Sequence, residues 1–127
     1  MENHNSEAAA SSQAQAKKTM LRKNKAMADQ YIKDRLEKHI HMIPKHMHDG
    51  VRNYVHHGIE PGGFLTSVLS NDLKGAVMGA DSINRQALPQ WVEFVVWAIP
   101  MAAQGSRENV GNWVTHFADI RAKGTEL

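Results

Sequence analysis

Apolar side chains recur at helical spacing between residues 17 and 41, a stretch without glycine or proline. Positions four or seven residues apart lie on one face of a helix, so this spacing indicates an amphipathic helix. The helix is predicted to end near Met42, because Pro44 disfavours helical geometry in the residue before it. Five apolar positions define its stripe: Leu21, Ala28, Ile32, Leu36 and Ile40.

A second helix is predicted from Pro44 or Lys45 to Gly58. Proline is tolerated in the first turn of a helix, and glycine commonly follows the last turn. Gly50 lies inside this helix, where it costs about 1 kcal/mol relative to alanine. We interpret Gly50 as a point that another backbone approaches closely.

Two short helices are predicted after the Pro-Gly-Gly turn at residues 61–63. The first covers residues 63–69, with its apolar side chains pointing inward. The second covers residues 72–78 and is predicted to begin after a capping Ser70 or Asn71.

A longer helix is predicted to begin after Asp81 and to end at Pro100. Its side chains are apolar almost all round after Trp91, so it is predicted to be the central buried helix. Pro89 is expected to kink it. Ser106 is expected to cap a final helix, and no alternating pattern typical of strands occurs. We therefore predict an all-α fold, a compact domain of about five or six helices.

Composition sets the domain organisation. The 127 residues suffice for one hydrophobic core. Residues 2–16 contain no large apolar side chain, so residues 1–16 are predicted to be a disordered tail and residues 17–127 a single helical domain. The chain contains no cysteine, which excludes disulfides and thiolate sites. No signal peptide is recognisable, and the longest apolar run is too short for a bilayer, so a cytoplasmic protein without membrane contact is expected.

Charge is distributed unevenly along the chain. Residues 1–47 contain nine basic and five acidic side chains, a net charge of +4, whereas residues 48–127 contain six basic and eight acidic ones, a net charge of −2. The cations cluster without an intervening acid, which predicts a partner-binding surface. Its five candidate residues are Lys17, Lys18, Arg22, Lys23 and Lys25.

Histidines are the candidate metal ligands. Six of them lie between residues 39 and 57, but their spacings of one, two, five, seven and eight do not give the i,i+3 or i,i+4 pairs that a helical metal site needs. His48-Asp49 is similar to the adjacent His and Asp of metal-dependent phosphohydrolases, without the further ligands that such a site requires. No metal or other cofactor is therefore expected.

The segment from residue 48 to residue 85, here called the hub, contains most of the polar residues that interrupt apolar sequence. We predict that its polar residues cap helices or join them by hydrogen bonds, and that its glycines let helices meet closely. The candidate hub residues are His48, Asp49, Arg52, Tyr54, Asn71, Asp72, Asp81, Asn84 and Arg85.

The hub resembles a group of small phage, prophage and plasmid proteins. The shared pattern runs from His-Asp-Gly at residues 48–50 through Tyr54 and Pro-Gly-Gly-Phe-Leu at residues 61–65. It continues with Asn-Asp-Leu at residues 71–73 and Ala-Asp-x-x-Asn at residues 80–84. The resemblance covers about residues 43–117 and implies a mobile-element origin without assigning an activity. Pro89 and residues 97–105 are less typical of the group.

Three functions remain open at this point. No nucleophile triad, paired-carboxylate motif or nucleotide fingerprint is recognisable, so a non-catalytic protein is predicted. It is expected to bind and inhibit a host macromolecule, such as a defence component, through the basic helix. The alternatives are a nucleic-acid-binding accessory protein that uses the same cations, and a small metal- or ligand-binding protein centred on His48 and Asp49. The long helix also allows pairing with a second copy of the chain.

Overall fold

The computed structural model describes the backbone of residues 2–124 and the side chains of residues 11–124. Within residues 2–124 the chain is helical and contains no strand, which confirms the all-α prediction. Three short 3₁₀ segments accompany seven α-helices in this range: Ile40–Met42, Lys45–Met47 and Met101–Ala103. The α-helices are α1 (Glu2–His39), α2 (His48–His57), α3 (Gly63–Leu69), α4 (Leu73–Gly79), α5 (Ser82–Gln86), α6 (Leu88–Ala98) and α7 (Arg107–Ala122).

The chain divides into two compact units, Met1–Tyr31 and Ile32–Leu127, here called unit 1 and unit 2. This division differs from the expected tail over residues 1–16 and single domain over residues 17–127. Residues 2–16 are helical as the first turns of α1, whereas Met1 lies outside the described residues. Helix propensity accounts for the difference, because alanine and glutamine favour the helix and no glycine or proline interrupts it.

The last turns of α1 are built into the core of unit 2. Leu36 of α1 is buried, as is Ile40 in the 3₁₀ segment that follows, as the apolar stripe predicts, and Ile32 is half-buried. The Nε of Arg35 donates to the carbonyl of Trp97 at 2.8 Å. Ile43, the residue before the first proline, is extended, with φ −112° and ψ 158°, which confirms that proline ends this helical stretch.

Helix α2 ends as predicted at Gly58, which adopts the left-handed conformation with φ 60°. A Cβ atom on Gly58 would lie 2.5 Å from the Cβ of Phe117, so α7 approaches closely there. The prediction for Gly50 is wrong. Among the described residues, none outside its own helix and chain neighbours comes within 4 Å of a Cβ built on Gly50.

The cap of α4 lies one residue later than predicted. The Asp72 carboxylate accepts from the backbone N–H of Gly75 at 2.9 Å, so Asp72, rather than Ser70 or Asn71, is the capping residue. Asn71 instead has a φ of 62°, which asparagine tolerates better than most residues. In the turn between α3 and α4, Asn71 thus adopts the left-handed conformation and Asp72 caps the helix that follows.

The predicted kinked central helix is in fact two helices. Asp81 caps α5 by accepting from the backbone N–H of Asn84 at 2.7 Å. Ala87 leaves helical geometry, with φ −92° and ψ 8°, and Pro89 lies in the first turn of α6. Proline has no N–H to donate and its ring clashes one turn back, so it fits the start of a helix better than the interior. Ser106 caps α7, as predicted.

Aromatic rings form the centre of unit 2. Trp91 and Phe94 of α6 are fully buried, and Trp91 meets Phe64 and Phe94 edge to face at centroid distances of 5.4 Å and 6.0 Å. Burial all round α6 is nevertheless wrong. Val92 and Val96 are about 60% exposed on its other face, at 59% and 61%.

Gly50 and Gly58 provide a matched pair of predictions on one helix. Gly50→Ala is expected to raise the free energy of unfolding by about 0.5–1 kcal/mol, because the helix gains propensity and the added methyl group meets no neighbour. Gly58→Ala is expected to lower it by more than that, because alanine has to adopt a positive φ against Phe117. Urea unfolding followed by circular dichroism measures both. Equal effects of the two substitutions would contradict the structure.

Candidate functional site

The five candidate cations of α1 all lie on the exposed surface of unit 1. Lys25 pairs with Asp29 at 2.9 Å, one helical turn further along. Among the described residues, no ion pair involves the other four: Lys17, Lys18, Arg22 and Lys23. Residues 17–31 contain these five basic side chains and one acidic side chain, and hence carry a net charge of +4.

This exposed positive charge attracts anionic partners. Single exposed ion pairs contribute only about 0.2–1 kcal/mol, because water competes for them and salt screens them. Several like charges on one helix, however, sum to a positive potential that raises the rate of association with a negative surface. The cationic surface of unit 1 is therefore suited to the recognition of an acidic macromolecular surface.

In unit 2, the hub residues Asp81 and Asn84 belong to a hydrogen-bonded chain that runs from the surface to the core. His46 Nε2 lies 2.9 Å from Asp81 Oδ2, and Asn84 Nδ2 donates to the same oxygen at 3.2 Å. Asn84 Oδ1 accepts from Trp91 Nε1 at 3.2 Å. The backbone N–H of Asn84 is the main cause that holds the pKa of Asp81 below its ordinary value of 3.8. Asn84 thus connects a helix cap to the central tryptophan.

Asp72 forms a second junction of this kind. It caps α4, and its Oδ2 accepts from Arg107 Nη2 of α7 at 2.9 Å. The Gly75 N–H and then Arg107 hold the pKa of Asp72 below its ordinary value of 3.8. A Cβ atom on Gly75 would collide with the Asp72 carboxylate and with Ser67 Oγ. Gly75 therefore lets the turn close, as predicted for the hub glycines.

His48 and Asp49 are in contact with other residues of unit 2. His48 Nε2 hydrogen-bonds the carbonyl of Ile43 at 2.9 Å, which occupies the ring nitrogen in a backbone contact. The Asp49 side chain is exposed and lies 3.7 Å from Arg52, which donates two hydrogen bonds to Glu37, at 2.8 and 2.9 Å. Within the described part of the chain, no three His, Cys, Asp or Glu side chains are grouped as metal ligands.

The remaining hub residues join elements by side-chain hydrogen bonds to backbone carbonyls. The buried Tyr54 hydroxyl donates to Ala103 at 2.7 Å, and burial raises its pKa. Trp113 Nε1 in turn donates to the carbonyl of Tyr54 at 3.0 Å. Arg85 donates to the carbonyl of Val77 at 3.1 Å. Tyr54 and Arg85 thus each donate a side-chain hydrogen bond to a carbonyl of another element.

A cleft of about 490 Å³ in unit 2 is lined in part by four glycines of the hub: Gly50, Gly62, Gly63 and Gly79. Its lining includes Gly50, residues 61–65, Asp81 and Asn84, all of which belong to the sequence pattern on which the predicted resemblance rests. Among the described residues, none approaches within 4 Å of a Cβ built on Gly62 or Gly63. These two glycines and Gly50 therefore keep a cleft open rather than bringing helices together, which corrects the predicted role.

A groove of about 540 Å³ in unit 2 was missed by the sequence reasoning. Leu73, Val92 and Val96 are exposed along it, and Pro89 and Gln104 complete part of its wall. The signal was present in the sequence. Val92 and Val96 are four residues apart and therefore share one face, opposite to the buried face of Trp91. The helix thus has one buried and one exposed apolar face, whereas the sequence prediction treats both as buried.

Comparisons with protein-family models, with curated proteins and with solved structures find no match to this chain. The resemblance to phage and plasmid proteins thus stays a prediction. None of the helices in residues 2–124 combines the length and the hydropathy required to cross a bilayer.

Asn84→Leu tests the chain from His46 to Trp91. We expect it to lower the free energy of unfolding by about 2–3 kcal/mol, because a leucine leaves the buried Trp91 N–H without an acceptor. Asn53→Leu is the matched control, since Asn53 is exposed at the neighbouring cleft, and a change within about 0.5 kcal/mol is expected there. Denaturant unfolding measures both variants, and a similar loss in the two would show that the Asn84 contacts do not stabilise the fold.

Asp72→Asn tests the junction between α4 and α7 through its pH dependence. Asparagine also caps helices well, so the substitution mainly removes the charge. Because the folded-state pKa of Asp72 lies below 3.8, its charged form stabilises the protein fully above about pH 4, and this contribution is lost as the pH falls through the folded-state pKa. Wild type is therefore expected to be more stable than the variant at pH 7, and the difference is expected to shrink in acid.

Asp119→Asn provides the control for this measurement, since Asp119 is exposed and has no ion pair among the described residues. Urea midpoints between pH 2.5 and pH 7 give the comparison. A difference between wild type and Asp72→Asn that stays constant over this range would contradict the assignment.

Proposed function

We propose that this protein is a non-catalytic accessory protein that binds a host macromolecule through the basic residues of α1 and thereby modulates, by inhibition, the activity of that macromolecule. One observation carries the proposal: the cations at residues 17–25 are exposed together on unit 1, and four of them have no ion pair among the described residues. That the bound macromolecule belongs to a host, for example to its defence machinery, is inferred from the resemblance of the hub to mobile-element proteins.

The hub supports this proposal through its structural roles. Asp72, Asp81 and Asn84 are engaged in caps and interhelical hydrogen bonds, which are contacts that stabilise a fold. The cations of unit 1, in contrast, remain available to an incoming surface. Exposed charge of this kind contributes more to the rate and selectivity of association than to the stability of the chain itself.

Binding of nucleic acid is the second candidate, and the same exposed cations favour it. Each phosphate that a lysine or arginine neutralises releases counterions, so affinity falls steeply as salt is added. A protein partner with an acidic surface depends on salt as well, but its affinity also includes apolar burial, which added salt does not screen. The steepness of the salt dependence therefore separates the two candidates.

Reversing three charges tests the proposed function. We expect Lys18→Glu, Arg22→Glu and Lys23→Glu, combined in one chain, to reduce capture of the partner from a host lysate by tenfold or more, because like charges across an interface repel. Quantitative mass spectrometry measures the captured protein. In parallel, binding of labelled duplex DNA is measured at salt concentrations from about 50 to about 300 mM, a range over which counterion release changes the affinity strongly.

The matched control reverses three exposed lysines of unit 2: Lys45, Lys74 and Lys123. It carries the same net charge as the test variant, so any effect of overall charge appears in both. Equal capture by the test variant and by wild type would refute the proposal. DNA binding that is lost only in the test variant, with a steep salt dependence and without a captured protein, would favour the nucleic-acid candidate.

A further inference from the structure

Unit 1 exposes an apolar face of α1 that differs from the face buried in unit 2. Leu36, near the end of α1, is buried in the core of unit 2. At about 100° per residue, Met20, Met27 and Tyr31 lie about 140–180° from Leu36 around the helix. In unit 1, the large apolar side chains of the helix are 58–70% exposed. Four residues form this exposed stripe: Met20, Leu21, Met27 and Tyr31.

The geometry of a helix places cations at both edges of the exposed stripe. At about 100° per residue, Met27 and Leu21 mark the edges of a sector about 120° wide. Lys23 lies about 40° beyond the Met27 edge. On the other side, Lys25 lies about 40° beyond the Leu21 edge, where it forms an ion pair one turn further along, and Lys18 lies about 20° beyond Lys25. A partner that covers the apolar sector therefore meets one lysine on one side and two on the other.

We propose that the exposed stripe binds an apolar groove with acidic rims on a partner protein, in the manner of an amphipathic helix seated in a groove. This inference rests on the proposed function and names the class of partner. Charge complementarity determines the occupant, because the rims have to offset a net charge of +4 over residues 17–31. The two methionines, Met20 and Met27, are flexible enough to fit such a groove closely.

A second copy of the same chain does not fit this surface. Two helices that cover each other's stripes would bring the lysines at the edges of one copy toward those of the other. Residues 17–31 of each copy carry the same net charge of +4, and like charges in an interface oppose association. The stripe therefore requires a partner of opposite charge.

A membrane surface fits less well than a protein groove. Asn24 lies near the middle of the stripe, about 40° from Met20, and Lys17 lies about 20° beyond Asn24. On a lipid surface these two polar groups would face the acyl chains, where no hydrogen-bonding partner exists. A protein groove can supply an acceptor at those points. Duplex nucleic acid, in turn, makes most of its contacts through phosphates and leaves an apolar stripe uncovered.

The test uses calcium-loaded calmodulin as a probe, because it has a methionine-lined groove that accepts basic amphipathic helices and closes when calcium is removed. The full-length protein is titrated against it with and without calcium by isothermal titration calorimetry. We expect calcium-dependent binding by wild type. The combined substitution Met20→Gln, Leu21→Gln and Met27→Gln is expected to weaken it at least thirtyfold, while retaining the cations and using a residue that favours the helix.

The matched control places the same three glutamines on another face, centred about 140° from the middle of the stripe, as Ser12→Gln, Thr19→Gln and Ala26→Gln. These positions are exposed and seven residues apart, so they share one face. Binding within twofold of wild type is expected, and circular dichroism verifies equal helix content in both variants. Failure of wild type to bind the probe, or binding of the stripe variant as strong as that of wild type, would overturn the inference.

Two further arms separate this inference from the proposed function. Vesicles of anionic phospholipid and duplex DNA are titrated with the same variants. If wild type binds the vesicles more tightly than calmodulin, and the stripe variant loses vesicle binding, the inference of a protein groove is overturned. If the charge-reversal variant of residues 18, 22 and 23 loses host-lysate capture while the stripe variant retains it, the proposed function stands and the inference fails. If the stripe variant alone loses capture, the apolar contact stands and the charge-based function fails.

Discussion

Trp91 has to bury a large ring and satisfy one N–H group at the same time, and the rest of unit 2 depends on how it does so. Its ring is fully buried between Phe64 and Phe94. Its N–H would lose its hydrogen bonds to water on burial, at a cost of about 1–3 kcal/mol, without an internal acceptor. Asn84 supplies that acceptor. The apolar centre is therefore specified by a polar contact as well as by packing.

The contact between Asn84 and Trp91 is made across the break between α5 and α6. Asn84 is itself held by Asp81, which caps α5 and accepts from the Asn84 side chain. The six residues between Asn84 and Trp91 have to bring the two side chains within hydrogen-bonding distance. The break at Ala87 and the proline in the first turn of α6 lie between them. A straight helix would also bring residues seven apart to one face, but the interior proline makes the two-helix arrangement the less costly one.

Elements whose signal is local were predicted well from the sequence. Gly58 and Ser106 end and begin helices because their own backbone and side-chain chemistry favours those positions. Predictions that depended on neighbours distant in the sequence were less accurate. A glycine alone does not reveal what lies opposite, so Gly50 lines a cleft where the sequence predicts a close approach. Hydrophobicity does not show whether a neighbouring element covers a face, so Val92 and Val96 are exposed where the sequence predicts a buried helix.

The candidate site likewise combines features that the sequence predicts with features that it does not. Their exposure follows from the desolvation cost of unpaired charge and was predictable. The hub pattern, in contrast, proved to have two uses. Gly75 closes a turn against Asp72, whereas Gly62 and Gly63 line a cleft. Glycine is favoured at both kinds of position, so the sequence alone does not distinguish a closed turn from an open cleft.

Most helical stability in proteins comes from packing of an apolar face rather than from propensity. Leu36 of α1 has such packing, whereas Met20 and Met27, on another face of the same helix, are exposed. A partner that covers these methionines would supply to unit 1 the stabilisation that the core supplies to the last turns of α1. Order at the start of the helix and binding of that partner would then be coupled, because each lowers the cost of the other.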